Sequence, residues 1–308
     1  MELKAYLFPG QGSQFVGMGR DLYDKYPKVR DMYQEANSIM GFDLAQVSFN
    51  GPEEQLKQTQ ITQPAIFVHS MAVYELIKDK LPPPNAVAGH SLGEYSALVA
   101  AEALSFEDGV RLVKKRGELM QTAGIDQPGT MGAIIGLDAN QVDEVCDAVK
   151  DTGIVCAANY NSPGQIVISG DVEAVRAAMI IAKDKGAKRA VELVVSGAFH
   201  SPLMESAMDG LSEALEIAEI KDATIPVYTN VTALPSTSNA EIRELLFQQL
   251  THPVRWEEII LNMAADNIKT FLEIGPGKVL TGLNKRIVRE LSCTPIGNDV
   301  DINSLMNR

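Results

Sequence analysis

The strongest structural signal in the chain lies in Asn85-Ala86-Val87-Ala88-Gly89-His90-Ser91-Leu92-Gly93-Glu94-Tyr95-Ser96-Ala97-Leu98-Val99. A short apolar run leads into Gly89-His90-Ser91-Leu92-Gly93, and a helical pattern begins directly after it. Strand, tight turn and helix in this order form the context that a Gly-x-Ser-x-Gly nucleophile elbow requires. The two glycines permit a sharp turn around a strained serine, and the first amides of the helix face an oxyanion there. A chance match is the alternative, but the flanking strand and helix favour Ser91 as a nucleophile.

Length and charge limit the classes of function. The 308 residues suffice for one large domain or two smaller ones with ample core. A net charge of −13 argues against nucleic acid or an anionic membrane surface as the main partner. The chain has neither a secretion signal at its start nor an apolar run near the roughly eighteen residues of a membrane span. A cytoplasmic protein with no nucleic-acid partner and no membrane partner is therefore expected.

The three cysteines do not predict a metal site. Cys146, Cys156 and Cys293 are few, odd in number and without the spacing of metal ligands. They are typical of reduced thiols in a cytoplasmic protein. No metal is expected.

The chain shows two patterns of alternation. Between residues 128 and 196, the order strand, helix, strand, strand, helix, strand is that of a ferredoxin-like unit. Gln127-Pro128-Gly129-Thr130 and Ser196-Gly197 mark its two ends. Residues 1–127 and 197–308 follow a larger α/β alternation, so the small unit is predicted to be inserted into a discontinuous larger one.

The periodicity of the apolar residues predicts the main elements. The predicted helices are Lys28–Met40, Pro64–Lys80, Phe106–Gln121, Asn140–Lys150, Val172–Lys185, Pro202–Ile217, Ala240–Leu250 and Trp256–Asp266. The predicted strands, besides the one that ends at Gly89, are Ala5–Phe8, Met131–Leu137, Ile154–Asn159, Gln165–Ser169, Lys188–Val195, Ile225–Val231 and Thr270–Ile274. Pro64 suits the first turn of its helix, where its missing N–H is not needed.

A serine hydroxyl is a poor nucleophile without a neighbouring base, and the chain has four histidines. His90 should diverge from Ser91 because successive side chains point apart. His69 lies within a predicted helix and is interpreted as a satisfied helix histidine. His252 lies between two helices and is a loop ligand or has no role. His200 is preferred as the base, because it lies in a loop beside apolar residues and follows the serine in chain order. No aspartate stands out as a third member, and a backbone carbonyl or an amide side chain can orient the imidazole instead.

One arginine lies on the inward face of its helix. Arg116 has apolar neighbours at the positions three and four residues before and after it, namely Leu112, Val113, Leu119 and Met120. A snorkelling arginine or a structural ion pair is one explanation. A guanidinium held in a cleft for a substrate carboxylate is the other, and the spacing leaves both open.

The elbow rule also predicts the oxyanion donors. One is the amide of the residue after the nucleophile, Leu92, and the other comes from a loop near an early strand. Gly10-Gln11-Gly12 follows the first predicted strand, so the amide of Gln11 is the expected second donor. This expectation rests on architecture and not on spacing.

Several motifs follow one another along the chain. They are Phe8-Pro9-Gly10-Gln11-Gly12-Ser13-Gln14, Gln63-Pro64-Ala65, Gly89-His90-Ser91-Leu92-Gly93-Glu94, Arg116-Gly117, Ala198-Phe199-His200-Ser201 and Ile274-Gly275-Pro276-Gly277. In this order they resemble the motifs of the malonyl-CoA:acyl-carrier-protein transacylase family, and the resemblance covers essentially the whole chain. It implies an α/β fold with a large α/β-hydrolase-like subdomain (1–127 and 197–308) and an inserted ferredoxin-like (βαββαβ) small subdomain (128–196). The active site would lie between the two.

The resemblance also implies roles for individual residues. The implied set has two catalytic residues, two oxyanion-hole amides, two substrate-binding side chains and one histidine-orienting carbonyl: Ser91 and His200, Gln11 and Leu92, Arg116 and Gln63, and Gln249. Arg116 would bind the malonyl carboxylate, and the carbonyl of Gln249 would explain the missing aspartate. Phe199 before His200 resembles the malonyl-selective version of the family.

The implied chemistry is a two-step acyl transfer with no cofactor, since the coenzyme A thioester is itself the substrate. Ser91 would take the malonyl group from malonyl-CoA, and the phosphopantetheine thiol of acyl-carrier protein would then remove it for fatty acid or polyketide elongation. The family implies a monomer. Because carrier proteins are acidic, a basic rim is expected. The candidates for it are Lys114, Lys115, Lys183, Lys185, Lys188 and Arg189.

Three rival functions use the same residues. An esterase or thioesterase would share the elbow, but the lack of an evident acid member and the inward Arg116 count against it. Intact Ser91 and His200 disfavour an idle module that only binds carrier protein. Transfer of another acyl group is the third rival, and Arg116 favours a group that bears a carboxylate.

Overall fold

Two β-sheets organise the computed structural model, which describes residues 3–307. Within that range the strands are β1 (Leu3–Phe8), β2 (Ala86–Gly89), β3 (Gly129–Ile135), β4 (Val155–Ser162), β5 (Gln165–Asp171), β6 (Arg189–Glu192), β7 (Val227–Tyr228), β8 (Pro235–Ser236), β9 (Ile268–Ile274) and β10 (Ser292–Ile296). The larger sheet has the order β10-β9-β1-β2-β7-β8 and is parallel except for β8. The smaller sheet has the order β4-β5-β3-β6 and is antiparallel.

Helices surround both sheets, which makes this an α/β protein. They are α1 (Arg20–Lys25), α2 (Pro27–Met40), α3 (Leu44–Asn50), α4 (Glu53–Leu56), α5 (Thr59–Ile77), α6 (Gly93–Ala100), α7 (Phe106–Asp126), α8 (Ala139–Asp147), α9 (Val172–Asp184), α10 (Met208–Ile217), α11 (Asn239–Gln248), α12 (Trp256–Ala265), α13 (Val279–Ile287) and α14 (Asp299–Met306). A 3-10 helix (Pro202–Ala207) precedes α10. Among the helices of residues 3–307, none combines the length and the apolar character that crossing a membrane requires.

The larger sheet is buried on both faces, as strand β1 illustrates. Its side chains alternate, because successive residues of a strand point to opposite faces. Tyr6 and Phe8 belong to the core that includes α5, whereas Ala5 and Leu7 pack in a second cluster with Trp256 of α12. This double burial explains why β1 from Ala5 to Phe8, and the neighbouring β2, are apolar.

The smaller sheet forms from one continuous segment, in the chain order β3, α8, β4, β5, α9, β6. One face packs on α8 and α9 through residues such as Ile134, Ile168 and Val175. On the other face, Met131 and Val167 join the main core, so this face of the smaller sheet packs against the larger part of the molecule. The chain enters and leaves this segment at neighbouring points, because a Cβ on Gly124 would be 2.0 Å from the Ser196 carbonyl oxygen.

Helix α5 begins at Thr59, and the prediction that Pro64 opens it was wrong. Pro64 lies inside the helix, where its missing N–H removes one backbone hydrogen bond. The residues on either side of the proline are buried against α7, and Gly117 of α7 approaches the backbone of Gln60 closely. Tertiary packing therefore outweighs the local preference of proline for a first turn.

Two predicted strands end early. The strand expected over Lys188–Val195 is reduced to β6, and that expected over Ile225–Val231 is reduced to β7. In each case the residues after the strand contact the pocket described below or the turn beside it. Leu193 and Val195 line that pocket, and Asn230 bonds to the turn that contains Ser91.

The remaining differences are shifted element ends and short elements that were not predicted, among them α1, α3, α4 and β8. The helix predicted over Pro202–Ile217 begins as the 3-10 helix, in which the Met204 amide donates to the Ser201 carbonyl. Helix α7 continues to Asp126, beyond the predicted end. The elements α13, β10 and α14 were not predicted, and β10 extends the parallel sheet beside β9.

Candidate active site

Ser91 lies on a tight turn between β2 and α6. Its φ of +50° is in the left-handed region, which is strained for a residue with a side chain. A Cβ on Gly89 would lie 1.8 Å from the Gly93 carbonyl carbon, and one on Gly93 would lie 2.0 Å from the Phe8 carbonyl oxygen. Both flanking glycines are therefore required. The predicted strand, turn and helix are present, and they expose the Ser91 hydroxyl at the carboxyl end of the parallel strands.

His200 lies beside Ser91, with 2.8 Å between Nε2 and Oγ. Its Nδ1 faces two backbone carbonyls, that of Gln249 at 2.8 Å and that of His252 at 3.2 Å. Because a carbonyl only accepts, Nδ1 carries the proton, and Nε2 is left as an acceptor for the serine hydroxyl. Burial lowers the pKa of His200 to about 3, and the nearby Arg116 guanidinium acts in the same direction. The imidazole is therefore neutral.

Arg116 is buried at the centre of the site, with 1% of its surface exposed. Its Nη1 donates to Gln63 Oε1 at 2.7 Å, and its Nη2 donates to Ser91 Oγ at 3.0 Å and to Gln249 Oε1 at 2.9 Å. The guanidinium also lies 5.6 Å from the centre of the Tyr95 ring. Because these partners are all uncharged, the cation can still bind a carboxylate that enters the pocket.

Three further polar side chains hold the turn from beneath. Gln249 Nε2 donates to Glu94 Oε2 at 2.6 Å and to the Ser91 carbonyl at 3.1 Å. Asn230 Oδ1 accepts from the Ser91 amide at 2.6 Å, and its Nδ2 donates to the Gly89 carbonyl at 2.7 Å. The Asn230 amide in turn donates to Glu94 Oε2 at 3.2 Å. These bonds fix the strained turn and the groups around it.

Sequence reasoning missed Asn230 and Glu94. Asn230 follows β7, which lies parallel to and beside the elbow strand β2. Polar residues at the carboxyl ends of neighbouring parallel strands meet at one edge of the sheet, and this rule could have found Asn230. Glu94 lies in the first turn of α6, where a carboxylate is an ordinary feature. Its burial therefore left no signal in the sequence.

A pocket of about 190 Å³ lies between the two sheets and is lined by Ser91, His200 and Arg116. Gln11 and Leu92 line it from the larger sheet, and Met131 and Val167 line it from the smaller one. The amides of Gln11 and Leu92 donate no hydrogen bond to other residues of the range 3–307. Both amides are therefore available to an oxygen atom of a ligand beside Ser91.

The other histidines near the pocket contribute in different ways. His90 Nε2 faces Asn161 Oδ1 at 2.8 Å, so its side chain diverges from that of Ser91 as predicted. His252 contributes its backbone carbonyl, while its ring Nδ1 faces the Gln248 carbonyl at 2.8 Å. Of the four histidines weighed as a base, all of them within residues 3–307, only His200 is hydrogen-bonded to the Ser91 hydroxyl.

The interpretation of His69 as a satisfied helix histidine was wrong. His69 is fully buried in α5, and within residues 3–307 neither ring nitrogen has a hydrogen-bond partner. The backbone of Gly297 approaches the ring without reaching hydrogen-bond geometry. Burial lowers the pKa of His69 to about 4, so the ring is neutral. Tyr33 Oη, which lies against Gly19 as His69 does, and Ser70 Oγ are also buried and unpartnered.

The basic residues predicted for a rim are not together. Lys188 and Arg189 line, with Arg286, a cavity of about 620 Å³ that shares Gln165 with the Ser91 pocket. Arg286 donates to Gln165 Oε1. The other four candidates line neither of these cavities: Lys114, Lys115, Lys183 and Lys185.

The cysteines are free thiols. Burial raises the pKa of Cys156 to about 11, which keeps this thiol protonated at neutral pH. In the part of the chain that the structure describes, no three or more His, Cys, Asp or Glu side chains are grouped so as to hold a metal ion.

Known proteins match this chain over nearly its full length. Residues 5–301 match the family model of the acyl transferase domain. A malonyl CoA-acyl carrier protein transacylase of Bacillus subtilis is 48% identical over 295 residues, which are 96% of this chain and 93% of the relative. The structure of a malonyl CoA-acyl carrier protein transacylase from Coxiella burnetii matches with a TM-score of 0.96 and 41% identity, and covers 100% of this chain and 98% of that chain.

A second solved structure contains a partner. It is a malonyl-transacylase in complex with its type II PKS acyl-carrier protein, and it matches with a TM-score of 0.96 and 43% identity over 100% of both chains. Family model, sequence relatives and solved structures thus agree over nearly the full length. The chain is an acyltransferase and belongs to the malonyl-CoA:acyl-carrier-protein transacylase family.

Proposed function

We propose that the chain transfers a malonyl group from malonyl-CoA to the phosphopantetheine thiol of an acyl-carrier protein, through a malonyl ester on Ser91. One observation carries the proposal: Ser91 Oγ lies 2.8 Å from a neutral imidazole, that of His200, and 3.0 Å from a buried cation, that of Arg116. A hydroxyl and a base form a nucleophile, and the cation suits a substrate with a carboxylate. The relatives are named for this reaction. Its product supplies fatty acid or polyketide elongation.

In the first half-reaction, Ser91 Oγ attacks the thioester carbonyl carbon of malonyl-CoA, and His200 Nε2 takes the hydroxyl proton. The carbonyl oxygen becomes an oxyanion, which accepts hydrogen bonds from the amides of Gln11 and Leu92. When the tetrahedral intermediate collapses, the C–S bond breaks and coenzyme A leaves with the proton that His200 held. The malonyl group is then an ester of Ser91.

In the second half-reaction, the phosphopantetheine thiol takes the place of coenzyme A. His200 Nε2 removes the thiol proton, and the thiolate attacks the ester carbonyl through the same oxyanion. Ser91 leaves with the proton from His200, and the malonyl group remains on the carrier. Water must be kept from the ester during the exchange, because otherwise the reaction is hydrolysis.

Arg116 selects the acyl group in this mechanism. A malonyl carboxylate forms charge-assisted hydrogen bonds with the guanidinium, whose position is set by Gln63 and Gln249. An acetyl group offers no carboxylate and leaves the buried cation without a counter-charge, which disfavours it. The ring of Tyr95 on one side of the guanidinium leaves the pocket as the direction of approach.

We propose the same division of the chain as the sequence predicts: an α/β-hydrolase-like subdomain over 1–127 and 197–308, and a ferredoxin-like subdomain over 128–196. The parallel order of the larger sheet, with the nucleophile after β2, supports the first assignment. The antiparallel order β4-β5-β3-β6 supports the second. The active site lies between the two.

We further propose that the carrier protein docks beside the pocket at Lys188, Arg189 and Arg286. This cavity shares Gln165 with the Ser91 pocket, and its positive charge complements an acidic carrier. A monomer in the cytoplasm that needs no cofactor stays a prediction.

Intact-mass spectrometry after brief exposure to malonyl-CoA tests the proposal. The wild type should gain one malonyl group, Ser91→Ala should gain none, and pantetheinylated carrier protein should discharge the adduct. Arg116→Ala should lower the malonyl-to-acetyl loading ratio by about 100-fold, since it removes a charged hydrogen bond. Arg111→Ala is the matched control, because Arg111 is exposed on the same helix and should leave the ratio unchanged.

Two outcomes would contradict the proposal. Release of malonate by the wild type without an adduct and without carrier protein would make the chain a hydrolase. If the wild type neither forms an adduct nor releases malonate, the result would favour a module that only binds carrier protein.

A further inference from the structure

The site contains one buried carboxylate that the mechanism does not use. Glu94 is 2% exposed and Arg116 is 1% exposed, so both charges are removed from water. The amide of Gln249 stands between them: its Oε1 accepts from Arg116 Nη2 at 2.9 Å, and its Nε2 donates to Glu94 Oε2 at 2.6 Å. A cation and a carboxylate are thus joined through a single amide group.

The orientation of that amide depends on both charges. If the Gln249 amide turned over, its NH2 group would face the Arg116 donors, and its oxygen would face the Glu94 carboxylate. Both contacts would be repulsive. Glu94 therefore fixes the acceptor that Gln249 presents to Arg116, and with it the position of the guanidinium.

Other ionisable groups contribute little to the charge around Glu94. Arg116 is the charged side chain of the described residues that acts on Glu94, and Glu94 is the carboxylate that acts on Arg116. The groups that donate a hydrogen bond to the Glu94 carboxylate from other elements are the Gln249 amide and the Asn230 backbone, both neutral. His200 is neutral as well, and Tyr95 beside Glu94 keeps its proton, because burial raises the pKa of its hydroxyl to about 12.

We propose that Glu94 is a positioning residue that balances Arg116 in the empty pocket and takes up a proton when a substrate carboxylate binds Arg116. The inference rests on the proposed function. In the empty site, one positive and one negative charge share a buried region. A malonyl carboxylate adds a second negative charge there, and protonation of Glu94 restores neutrality. The proton comes from solvent, and no bond of the substrate changes in this step.

The buried environment makes such a proton available near neutral pH. Burial raises the pKa of Glu94 to about 7, against the opposing effects of Gln249, Asn230 and Arg116. A carboxylate on Arg116 offsets the field of the cation and adds a like charge, and both changes raise this pKa further. Proton uptake is therefore expected above pH 7, where more than half of the free Glu94 carboxyl is ionised, and it should fade below that pH.

Isothermal titration calorimetry in two buffers of different protonation enthalpy measures the uptake. Malonyl-CoA binds to Ser91→Ala without reacting, and acetyl-CoA is the matched ligand without a carboxylate. At pH 7.5, the binding of malonyl-CoA should be accompanied by the uptake of about half a proton or more beyond the uptake that accompanies the binding of acetyl-CoA. In Ser91→Ala with Glu94→Gln, which keeps an acceptor for Gln249 and Asn230, the difference between the two ligands should vanish.

An equal difference with and without Glu94 would overturn the inference. If the Glu94→Gln protein does not fold, the dissociation constant of Ser91→Ala gives the answer. For malonyl-CoA it should rise several-fold between pH 7 and 8.5, and for acetyl-CoA it should stay constant. An equal pH dependence for both ligands would also overturn the inference. If Ser91→Ala does not bind malonyl-CoA and the wild type forms no adduct, the results would instead contradict the proposed function.

Discussion

Two groups of buried polar side chains in the larger part of the molecule differ in how completely they are bonded. Around Arg116, the side chains of Gln63, Gln249 and Asn230 each bond to a neighbour. Within residues 3–307, the exceptions there are Arg116 Nε and Tyr95 Oη. In the group formed by Tyr33, His69 and Ser70, in contrast, the side-chain polar atoms are all without a partner in the described part of the chain.

Both groups contain a buried histidine whose pKa is lowered, to about 3 at His200 and to about 4 at His69. A lowered pKa therefore does not distinguish the proposed base from a histidine that is merely buried. The bonds do: His200 is held at both ring nitrogens, and His69 at neither. The first group specifies a geometry, whereas the second only adds a cost to folding.

The largest effect on this contrast should come from Gln249→Leu. The substitution leaves Arg116 and Glu94 without the amide that joins them, so two buried charges lose a hydrogen bond. We expect a loss of about 3 kcal/mol in the free energy of unfolding, measured by urea denaturation.

Gln248→Leu is the control for that measurement. Gln248 neighbours Gln249 on the chain, and within residues 3–307 its side chain bonds only to Glu244 at the surface. Its replacement should therefore change stability by less than about 0.5 kcal/mol. Equal losses in the two variants would mean that the bonded group is no more costly to break than surface contacts.

A smaller, pH-dependent effect should follow from His69→Phe. The ring of His69 has a pKa of about 4 when folded and 6.5 as its ordinary value, so the unfolded chain binds the proton more readily as the pH falls. Wild-type stability is therefore lost progressively below about pH 6.5. Phenylalanine removes this loss, so the variant should gain about 2 kcal/mol on the wild type between pH 7 and pH 5.

Urea denaturation of the variant and the wild type at pH 7 and at pH 5 measures how their difference in stability changes with pH. The exposed His252 is the control position, and His252→Phe should show no comparable gain. A parallel loss of stability in the wild type and in His69→Phe would show that His69 has a partner or reaches water.

The smallest effect should distinguish two tyrosines. Tyr33→Phe removes an unpartnered hydroxyl and should leave the stability unchanged or raise it by up to about 1 kcal/mol. Tyr228→Phe removes a hydroxyl that bonds to Asp266 and should lower the stability by about 1 kcal/mol. Thermal unfolding of the two variants beside the wild type measures both values, and a loss at Tyr33 would remove the contrast.

The features that the sequence predicted correctly are those with a local cause. Gly89 and Gly93 flank Ser91 because the turn leaves no space for a Cβ at either position, and that constraint is written into neighbouring residues. The burial of Arg116 follows from apolar residues three and four positions away on its own helix. Periodicity also located most helices, although their ends differed by a few residues.

The features that were missed have distant causes. Asn230 bonds to a turn that lies far from it in the chain, and nothing near residue 230 indicates which backbone it will meet. Pro64 obeys local rules that the packing of α5 against α7 overrides. His69 has the apolar neighbours of any core helix, so its lack of a partner could be seen only in three dimensions.

The contact between His200 Nδ1 and the backbone carbonyl of Gln249 also bears on how the protein can vary. Every amino acid carries the same carbonyl, so no substitution at position 249 can remove this hydrogen-bond acceptor. An aspartate in that place could be lost by a single nucleotide change. The hydrogen-bond acceptor of the histidine thus depends on the path of the main chain and not on a side chain. Fewer single-residue changes can therefore remove it.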